Sequence, residues 1–395
     1  MKQKVCKWLD SNEWGAIRFE FNKIFACCSA GIELIPEKAY KNLTYDDIIT
    51  SRKNLFKDIN DGKNSICQNC AMLKNVDENQ IDIGKIRTLI YLPYTTCNFR
   101  CQYCYLPKEQ LAEKLDFDKA NILPVIQNLK NIDVLTDDFE LILGGGEPML
   151  IKDIPEIVNF LSKNFKKPIL KFLSNSSFIP DKEIFFNTMK NSKNITRKLY
   201  TSIDAGTPET YAKLRGNDCY KKVINNLMEF AKNNIYDEIT LKFILMEDNC
   251  NLSDKDVFGF GLLCKKVSEL NPNITNVCID ADFRDNKINA DHISEKMLEA
   301  AGKIYYIVTK LLNLEVVWLG NRLCGTSKAA LDDINSIKQY AENYSKMQKN
   351  KEEIRYLQNF KTKKLSLLQK FFSIRNEGNH KVIRILGFKI KIKRK

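Results

Sequence analysis

Short apolar runs alternate with amphipathic segments along the chain from Thr88 onward. The apolar runs predict strands at residues 88–94, 139–143, 169–173, 198–203, 239–246 and 274–279, with a seventh candidate at 314–319. Apolar residues at three- and four-residue spacing between these runs predict helices, among them 154–164, 220–233 and 294–312. The repeated order of strand and helix is typical of a parallel α/β fold.

Six or seven such units fit a partial (β/α)6 barrel or a full barrel, in which active-site residues lie on the loops that follow the strands. The first 85 residues lack this rhythm and carry five cysteines, so we predict a cysteine-rich module at 1–85 and the barrel at 86–320. A charged, helical extension is predicted at 321–375. A turn-forming Asn-Glu-Gly-Asn segment then begins a basic tail at 376–395.

Composition narrows the classes of function. The 44% hydrophobic content of the 395 residues supports a substantial core. Most of the net charge of +13 lies in residues 361–395, so the body of the protein is not expected to bind nucleic acid. The chain begins without an apolar signal segment and has no membrane-spanning run, which predicts a cytoplasmic protein. In that compartment the thirteen cysteines favour metal ligands or buried thiols over disulfides.

Three cysteines follow the first predicted strand with C-x3-C-x2-C spacing: Cys97, Cys101 and Cys104. Thiolates so spaced can bind three irons of a cubane and leave the fourth iron open to a chelating substrate. A zinc ribbon made of Cys67-x2-Cys70 and Cys101-x2-Cys104 is the alternative, and it leaves Cys97 without a role.

This spacing, with Tyr103 just before the third cysteine, resembles the signature of the radical SAM superfamily. The resemblance implies that the three cysteines hold a [4Fe-4S] cluster and that the backbone around Tyr103 lies against the adenine of S-adenosylmethionine. It also implies that S-adenosylmethionine is reduced to methionine and a 5′-deoxyadenosyl radical. An electron donor such as flavodoxin or ferredoxin is the expected partner.

Further motifs follow later predicted strands. Gly144-Gly145-Gly146-Glu147-Pro148 resembles the family's GGEP motif, which implies that Gly145, Gly146 and Glu147 bind the amino group of S-adenosylmethionine. An ordinary turn between strand and helix is the alternative for this segment alone. Asn175 lies where related enzymes often carry a Thr-Asn-Gly-like turn, although the glycine is absent here.

The fourth strand ends in Ser202-Ile203-Asp204-Ala205-Gly206, and Leu214-Arg215-Gly216 follows. Together they resemble a Ser-x-Asp-Gly and Leu-Arg-Gly pairing of the subgroup with auxiliary clusters, with Ala205 in place of the usual glycine. The resemblance implies that Ser202 and Asp204 contact nucleoside or substrate, and Asp204 is the candidate catalytic residue. Arg215 pairs with the methionyl carboxylate or forms a structural salt bridge. Asn249 contacts the cosubstrate or caps a helix.

Five cysteines precede the barrel: Cys6, Cys27, Cys28, Cys67 and Cys70. They resemble the ligands of SPASM-type auxiliary-cluster modules, although such modules usually follow the barrel. Cys6, Cys67, Cys70 and one of Cys27 and Cys28 would complete a second [4Fe-4S] cluster. Zinc and free thiols remain the alternatives.

The C-terminal tail alternates apolar residues and lysines. Residues 378–387 resemble tails of bacterial proteins of surface-polysaccharide synthesis. A cationic, half-apolar segment is attracted to anionic lipids, which predicts peripheral contact with the inner membrane face. Lysines that guard an edge strand are an equal alternative.

These observations predict a radical SAM enzyme that removes a hydrogen atom from a carbohydrate or another small, glycan-linked substrate, with dehydrogenation or epimerisation as the outcome. A peptide- or protein-modifying enzyme with an auxiliary cluster is the second hypothesis. A non-catalytic iron-sulfur or zinc scaffold is the hypothesis from another class.

Overall fold

The structure is a computed structural model. It describes residues 2–20, 23–27, 31–35, 42–68, 70, 72–92, 94–106, 121–250, 254–271, 275–282, 292–318, 322–323 and 328–347, and the backbone of 372–377, 380–385 and 388–393. Cys28 lies outside the described residues. The chain divides into two compact units, Met1–Tyr340 and Ala341–Lys395.

The first 85 residues form short strands and two helices. In chain order they are β1 (Lys2–Cys6), β2 (Ala16–Glu20), β3 (Lys23–Phe25), β4 (Glu33–Ile35), α1 (Ser51–Asn60), α2 (Ser65–Gln68) and β5 (Leu73–Asp77). A π-helical turn, Asp46–Thr50, leads into α1. β1 and β5 form a separate antiparallel ribbon in which Cys6 lies opposite Leu73.

The central sheet contains seven parallel strands in chain order: β6 (Ile86–Leu92), β7 (Leu135–Leu143), β8 (Ile169–Leu173), β9 (Thr196–Ser202), β10 (Glu238–Leu245), β11 (Thr275–Ala281) and β12 (Glu315–Val317). β2 adds to the sheet in parallel beside β6, and β3 and β4 follow in antiparallel order. The N-terminal strands therefore extend the same sheet, a continuity that no local pattern in the sequence revealed. The division at residue 85 stays a prediction.

Helices lie between the parallel strands and after them: α3 (Leu123–Asn131), α4 (Ile154–Asn164), α5 (Lys182–Asn191), α6 (Pro208–Arg215), α7 (Tyr220–Asn233), α8 (Lys255–Leu270), α9 (Glu295–Tyr306) and α10 (Lys328–Met347). One face of the sheet is apolar and fully buried, as at Leu141, Phe172, Leu199 and Leu241. All seven predicted strands and the three predicted helices are present, the last helix ending in a π-helical turn, Ile307–Leu311. The predicted α/β class with a parallel sheet is confirmed.

The C-terminal unit contains an antiparallel sheet of β13 (Phe372–Glu377), β14 (His380–Ile385) and β15 (Phe388–Lys393). The basic, alternating tail thus forms strands, as its period-two pattern predicts. The division into a helical extension and a tail stays a prediction. Among the described helices, none is long and apolar enough to cross a membrane.

Candidate active site

The predicted motifs lie on loops at the carboxyl ends of five adjacent parallel strands. The cysteine loop follows β6, the glycine run follows β7, and the segment with Asn175 follows β8. Asp204 follows β9, and Asn249 follows β10. Because these ends share one edge of the sheet, side chains far apart in the sequence come into contact.

The glycine run packs against the segment that leads to Cys97. Gly146 N donates to Tyr94 O at 3.0 Å, and Glu147 N donates to Thr96 O at 2.9 Å. A Cβ atom on Gly146 would lie 1.9 Å from Thr96 O, so only glycine allows this approach. Gly145 has a φ of 92°, which also favours glycine. The motif therefore fixes the cysteine loop, and its contact with S-adenosylmethionine stays a prediction.

The Glu147 side chain is 1% exposed and binds the loop after β8. Its carboxylate accepts hydrogen bonds from Ser174 Oγ at 2.7 Å, Asn175 N at 2.7 Å and Met149 N at 3.0 Å. Burial raises its pKa to about 7, although these three hydrogen bonds oppose the rise. Glu147 therefore joins three consecutive loops, and its bond to the amino group of a ligand stays a prediction.

Amide side chains join the cysteine loop to the loop after β8. Asn175 Nδ2 donates to Asn98 Oδ1 at 2.8 Å and lies 3.9 Å from Cys97 Sγ. Asn98 Nδ2 donates to Ser177 Oγ at 2.7 Å. Asn175 thus holds Asn98, the residue that follows Cys97, in place.

The three motif cysteines lie on one loop and are partly buried. Burial raises the pKa of each thiol, to about 12 for Cys97. Among the described residues, no three Cys, His, Asp or Glu side chains are placed to share a single metal ion. Three thiolates with this spacing on one loop can each bind a different iron of a cubane. The donor set therefore fits a [4Fe-4S] cluster.

A buried polar network lies behind the third cysteine. Tyr103 Oη donates to Asp204 Oδ2 at 2.5 Å, and Arg215 Nη1 lies 3.0 Å from the same oxygen and contacts Tyr103 Oη. Ile244 N donates to Asp204 Oδ1 at 2.8 Å. Burial raises the pKa of Asp204, while the Ile244 hydrogen bond and the nearby cations favour the carboxylate. This network ties the cysteine loop to β9 and β10.

The segment that ends α6 also holds the cysteine loop. Arg100 N donates to Arg215 O at 3.2 Å, and Gln102 N donates to Leu214 O at 2.8 Å. Gly216 has a φ of 62°, and a Cβ atom there would lie 2.4 Å from Arg100 O. Of the two roles open to Arg215, the structure shows the salt bridge, with Asp204.

The remaining predicted residues surround Asp204. Asn249 Nδ2 donates to Asp204 O at 2.8 Å and to Ile244 O at 2.7 Å, so it fixes both loops. Asp204 has a φ of 60°, an uncommon conformation that these bonds and its own carboxylate contacts hold in place. Ser202 ends β9, opposite Lys242 of β10.

Comparison with known proteins decides the class of this site. The family model described as "Radical SAM superfamily" matches residues 91–256, which include all five loops. Residues 91–256 form a radical SAM domain. The predicted class of enzyme and its cofactors, a [4Fe-4S] cluster and S-adenosylmethionine, are thereby confirmed at the level of the family.

Curated relatives of the chain include a GTP 3′,8-cyclase of Aliarcobacter butzleri, 26% identical over 180 residues, covering 43% of this chain and 49% of the relative. A GTP 3′,8-cyclase of Microcystis aeruginosa is 27% identical over 140 residues, or 35% of this chain and 39% of the relative. A protein named GTPase Obg, of Brachyspira hyodysenteriae, is 23% identical over 261 residues, or 64% and 36%. The chain spans less than half the length of each.

Solved structures similar to this chain include Streptococcus suis SuiB bound to S-adenosylmethionine, with a TM-score of 0.38 and 14% identity, covering 76% of this chain and 69% of that chain. The hydrogenase maturase HydG of Carboxydothermus hydrogenoformans has a TM-score of 0.36 and 13% identity, covering 56% and 51%.

Four of the five N-terminal cysteines approach one another beside the radical SAM domain. Cys6, Cys27 and Cys67 belong to one buried cluster of side chains. Cys70 N donates to Cys67 O, and Leu73, the partner of Cys6, donates to Cys70 O, each at 3.1 Å. Burial raises the pKa of Cys6 to about 12, and the other three thiols add to the rise. The fifth thiol, Cys28, is not described.

Sequence reasoning missed two residues near these sites. Asp256 accepts from Gly206 N at 2.8 Å and Thr207 N at 3.0 Å, so it fixes the segment after Asp204 from a distant helix. Arg52 is fully buried beside the N-terminal thiols. Each has an ordinary helical position in the sequence, and no local pattern marks either one.

Proposed function

We propose that this protein is a radical SAM enzyme that removes a hydrogen atom from a polar, carbohydrate-type substrate. Its [4Fe-4S] cluster is held by Cys97, Cys101 and Cys104, and a flavodoxin or ferredoxin supplies electrons. When bound, the cluster and S-adenosylmethionine supply the radical that removes the hydrogen. Dehydrogenation or epimerisation of the substrate follows.

The protein's own residues hold the reacting parts in place. The glycine run, Asn175 and the α6 terminus fix the cysteine loop from three sides. Tyr103 and Asp204 lie behind the loop, where they keep its third cysteine close to the ends of β9 and β10. Such preorganisation is required where a reactive species has to be kept from water.

The inner face of the sheet carries the substrate proposal. Ion pairs join neighbouring strands on this face: Glu140 with Lys171 at 2.9 Å, Lys198 with Glu238 at 3.0 Å, and Lys242 with Asp280 at 2.8 Å. The five partners from Glu140 to Lys242 keep side-chain exposures of 16–25%. Their strand positions alternate with the apolar residues on the opposite face.

A barrel interior is ordinarily filled by branched apolar side chains. Partly buried ion pairs lose solvation, so a lining of this kind adds little stability of its own. It does present ammonium donors and carboxylate acceptors next to the loops of the radical SAM site. Hydroxyl groups of a sugar can satisfy both, which supports a polar substrate over an apolar one.

The resemblance of residues 378–387 to tails of surface-polysaccharide proteins supports a glycan-linked substrate and a place at the inner membrane face. Deletion of residues 376–395 is expected to abolish binding to vesicles that contain anionic lipid. Retained binding would refute the membrane contact.

A peptide substrate is the second candidate, and the four neighbouring N-terminal thiols favour it. We propose that Cys6, Cys27, Cys67 and Cys70 bind a second [4Fe-4S] cluster, as in peptide-modifying enzymes with auxiliary clusters. Tetrahedral zinc requires its sulfurs about 3.8 Å apart around one ion. Four thiolates can instead bind one iron each of a cubane, which is the assignment proposed here.

Anaerobic reconstitution tests the enzyme proposal. Wild-type protein with reductant and S-adenosylmethionine is expected to yield 5′-deoxyadenosine, and Cys101→Ala is expected to yield none. Equal yields from both would leave the non-catalytic scaffold as the better hypothesis.

Deuterated candidate substrates separate the two substrate classes. Deuterium is expected in 5′-deoxyadenosine with nucleotide sugars or lipid-linked sugars, and the transfer is expected to fall at least tenfold in Lys242→Met. Lys166→Met, at a surface position, is the matched control. Transfer from peptides alone would favour the second candidate.

A further inference from the structure

Arg52 of α1 is a fully buried cation. Its guanidinium donates to four backbone carbonyls: Leu9 O at 2.5 Å, Ala16 O at 3.1 Å, Lys85 O at 3.3 Å and Ile83 O at 3.3 Å. Neutral acceptors satisfy its hydrogen bonds and leave its charge uncompensated. A buried charge in this state is costly unless an anion lies nearby.

The nearby anionic groups offset this charge only in part. Among the described residues, no carboxylate lies within salt-bridge distance of Arg52. The groups that interact with it electrostatically are Asp82, Cys6 and Asp10. Asp10 already pairs with Lys74 at 3.0 Å. Asp82 Oδ1 accepts from Gly84 N at 2.8 Å. A thiolate at Cys6 would add a further negative charge near Arg52.

Arg52 also fixes the chain immediately after Cys6. Leu9 N and Asp10 N donate to Cys6 O at 2.9 and 3.1 Å and close a turn. The carbonyl of Leu9 in this turn accepts the shortest Arg52 hydrogen bond, at 2.5 Å. The backbone turn that follows Cys6 is thus held by a guanidinium from another element.

We propose that Arg52 is the positioning residue and the counter-charge of the N-terminal thiolate site. This inference rests on the proposed second cluster at Cys6, Cys27, Cys67 and Cys70. Four thiolates around an iron-sulfur core carry net negative charge, and net charge sets the reduction potential of such clusters. A buried cation stabilises the bound cluster and favours its reduced form.

The test uses full-length protein with Cys97, Cys101 and Cys104 changed to alanine, so that only the second site binds iron. In this background we expect one [4Fe-4S] cluster per chain. Iron and sulfide content, reduction potential by redox titration, and the rate of iron loss to a chelator are measured. The matched control is Lys53→Met, an exposed cation on the same helix.

Arg52→Gln is expected to lower the reduction potential and to speed iron loss at least tenfold. Arg52→Lys keeps the charge and is expected to keep the potential. An unchanged potential in Arg52→Gln would overturn the inference. If Arg52→Gln does not fold, Arg52→Lys decides: a wild-type potential supports a counter-charge, and a lowered potential refutes it. If the variant with the three alanine substitutions binds no iron, the proposed second cluster is refuted. The proposed function is tested separately, by the formation of 5′-deoxyadenosine by the wild-type protein.

Discussion

Substitution of Gly146 tests the packing of the glycine run against the cysteine loop. In Gly146→Ala the new Cβ would lie 1.9 Å from Thr96 O and 2.6 Å from Thr96 C. Both are backbone atoms, so no side-chain rotation relieves the contact. The loop has to move by more than 1 Å before the contact reaches the 3.0 Å that real Cβ atoms require.

The magnitude follows from two sources. Overpacking of a dense site costs about 1–3 kcal/mol. The movement also weakens the bonds from Gly146 N and Glu147 N to the loop, each contributing about 0.5–1.5 kcal/mol. The expected loss of unfolding free energy is about 2–6 kcal/mol, together with loss of iron from the radical SAM site.

Urea unfolding and iron content after reconstitution are the assays. Gly144→Ala, whose Cβ would meet the flexible Leu92 side chain at 2.9 Å, is expected to lose less stability. Gly84→Ala meets only Asp82 Oδ1 at 3.3 Å and is the control. If Gly146→Ala matches Gly84→Ala in both stability and iron, the glycine run does not position the loop.

Three further predictions concern buried groups. Burial raises the pKa of Glu147 to about 7, so its contribution to stability is present below pH 4.5 and is lost, by about 3 kcal/mol, as the pH rises to 7. Glu147→Gln should flatten this part of the urea-unfolding pH profile. An unaltered slope would contradict the prediction. Arg215→Met removes the ion-pair partner of the Asp204 carboxylate and should lower the free energy of unfolding by about 3–5 kcal/mol. Adding Asp204→Asn should recover part of that loss. If the effects of the two substitutions simply add, the ion pair contributes no coupling energy. Because burial raises the pKa of Cys97 and Cys101, the rate of iron uptake by apoprotein should increase between pH 7 and 8.5, by up to about tenfold per pH unit. A rate that does not change with pH would show that thiol deprotonation is not limiting.

The strands and the cysteine loop could be predicted from the sequence because the patterns that indicate them involve only neighbouring residues. Apolar runs gave seven strands, and helix periodicity gave the exact bounds of Ile154–Asn164 and Tyr220–Asn233. The C-x3-C-x2-C spacing places three ligands within eight residues, so no tertiary contact is needed to recognise it.

The partners of the motif residues were not accessible in this way. The sequence predicts that the glycines of the 144–148 motif approach a ligand, whereas the structure brings Gly146 against Thr96 of the cysteine loop. For Arg215 the sequence left open the methionyl carboxylate and a structural salt bridge, and only the packing of α6 against β9 and β10 brings it to Asp204. The first contact joins residues 50 positions apart and the second joins residues 11 positions apart in the chain.

The sequence by itself therefore determined the order of strands, the position of the three cysteines at a strand end and the class of chemistry, because periodicity and ligand spacing are properties of neighbouring residues. The tertiary structure decided that β2, β3 and β4 extend the sheet of parallel strands, that ion pairs lie on the face opposite its apolar face, and that Arg52 lies beside the N-terminal thiols. These features depend on which side chains are buried together and which charges lie close together in the folded chain. No single stretch of sequence determines either of these.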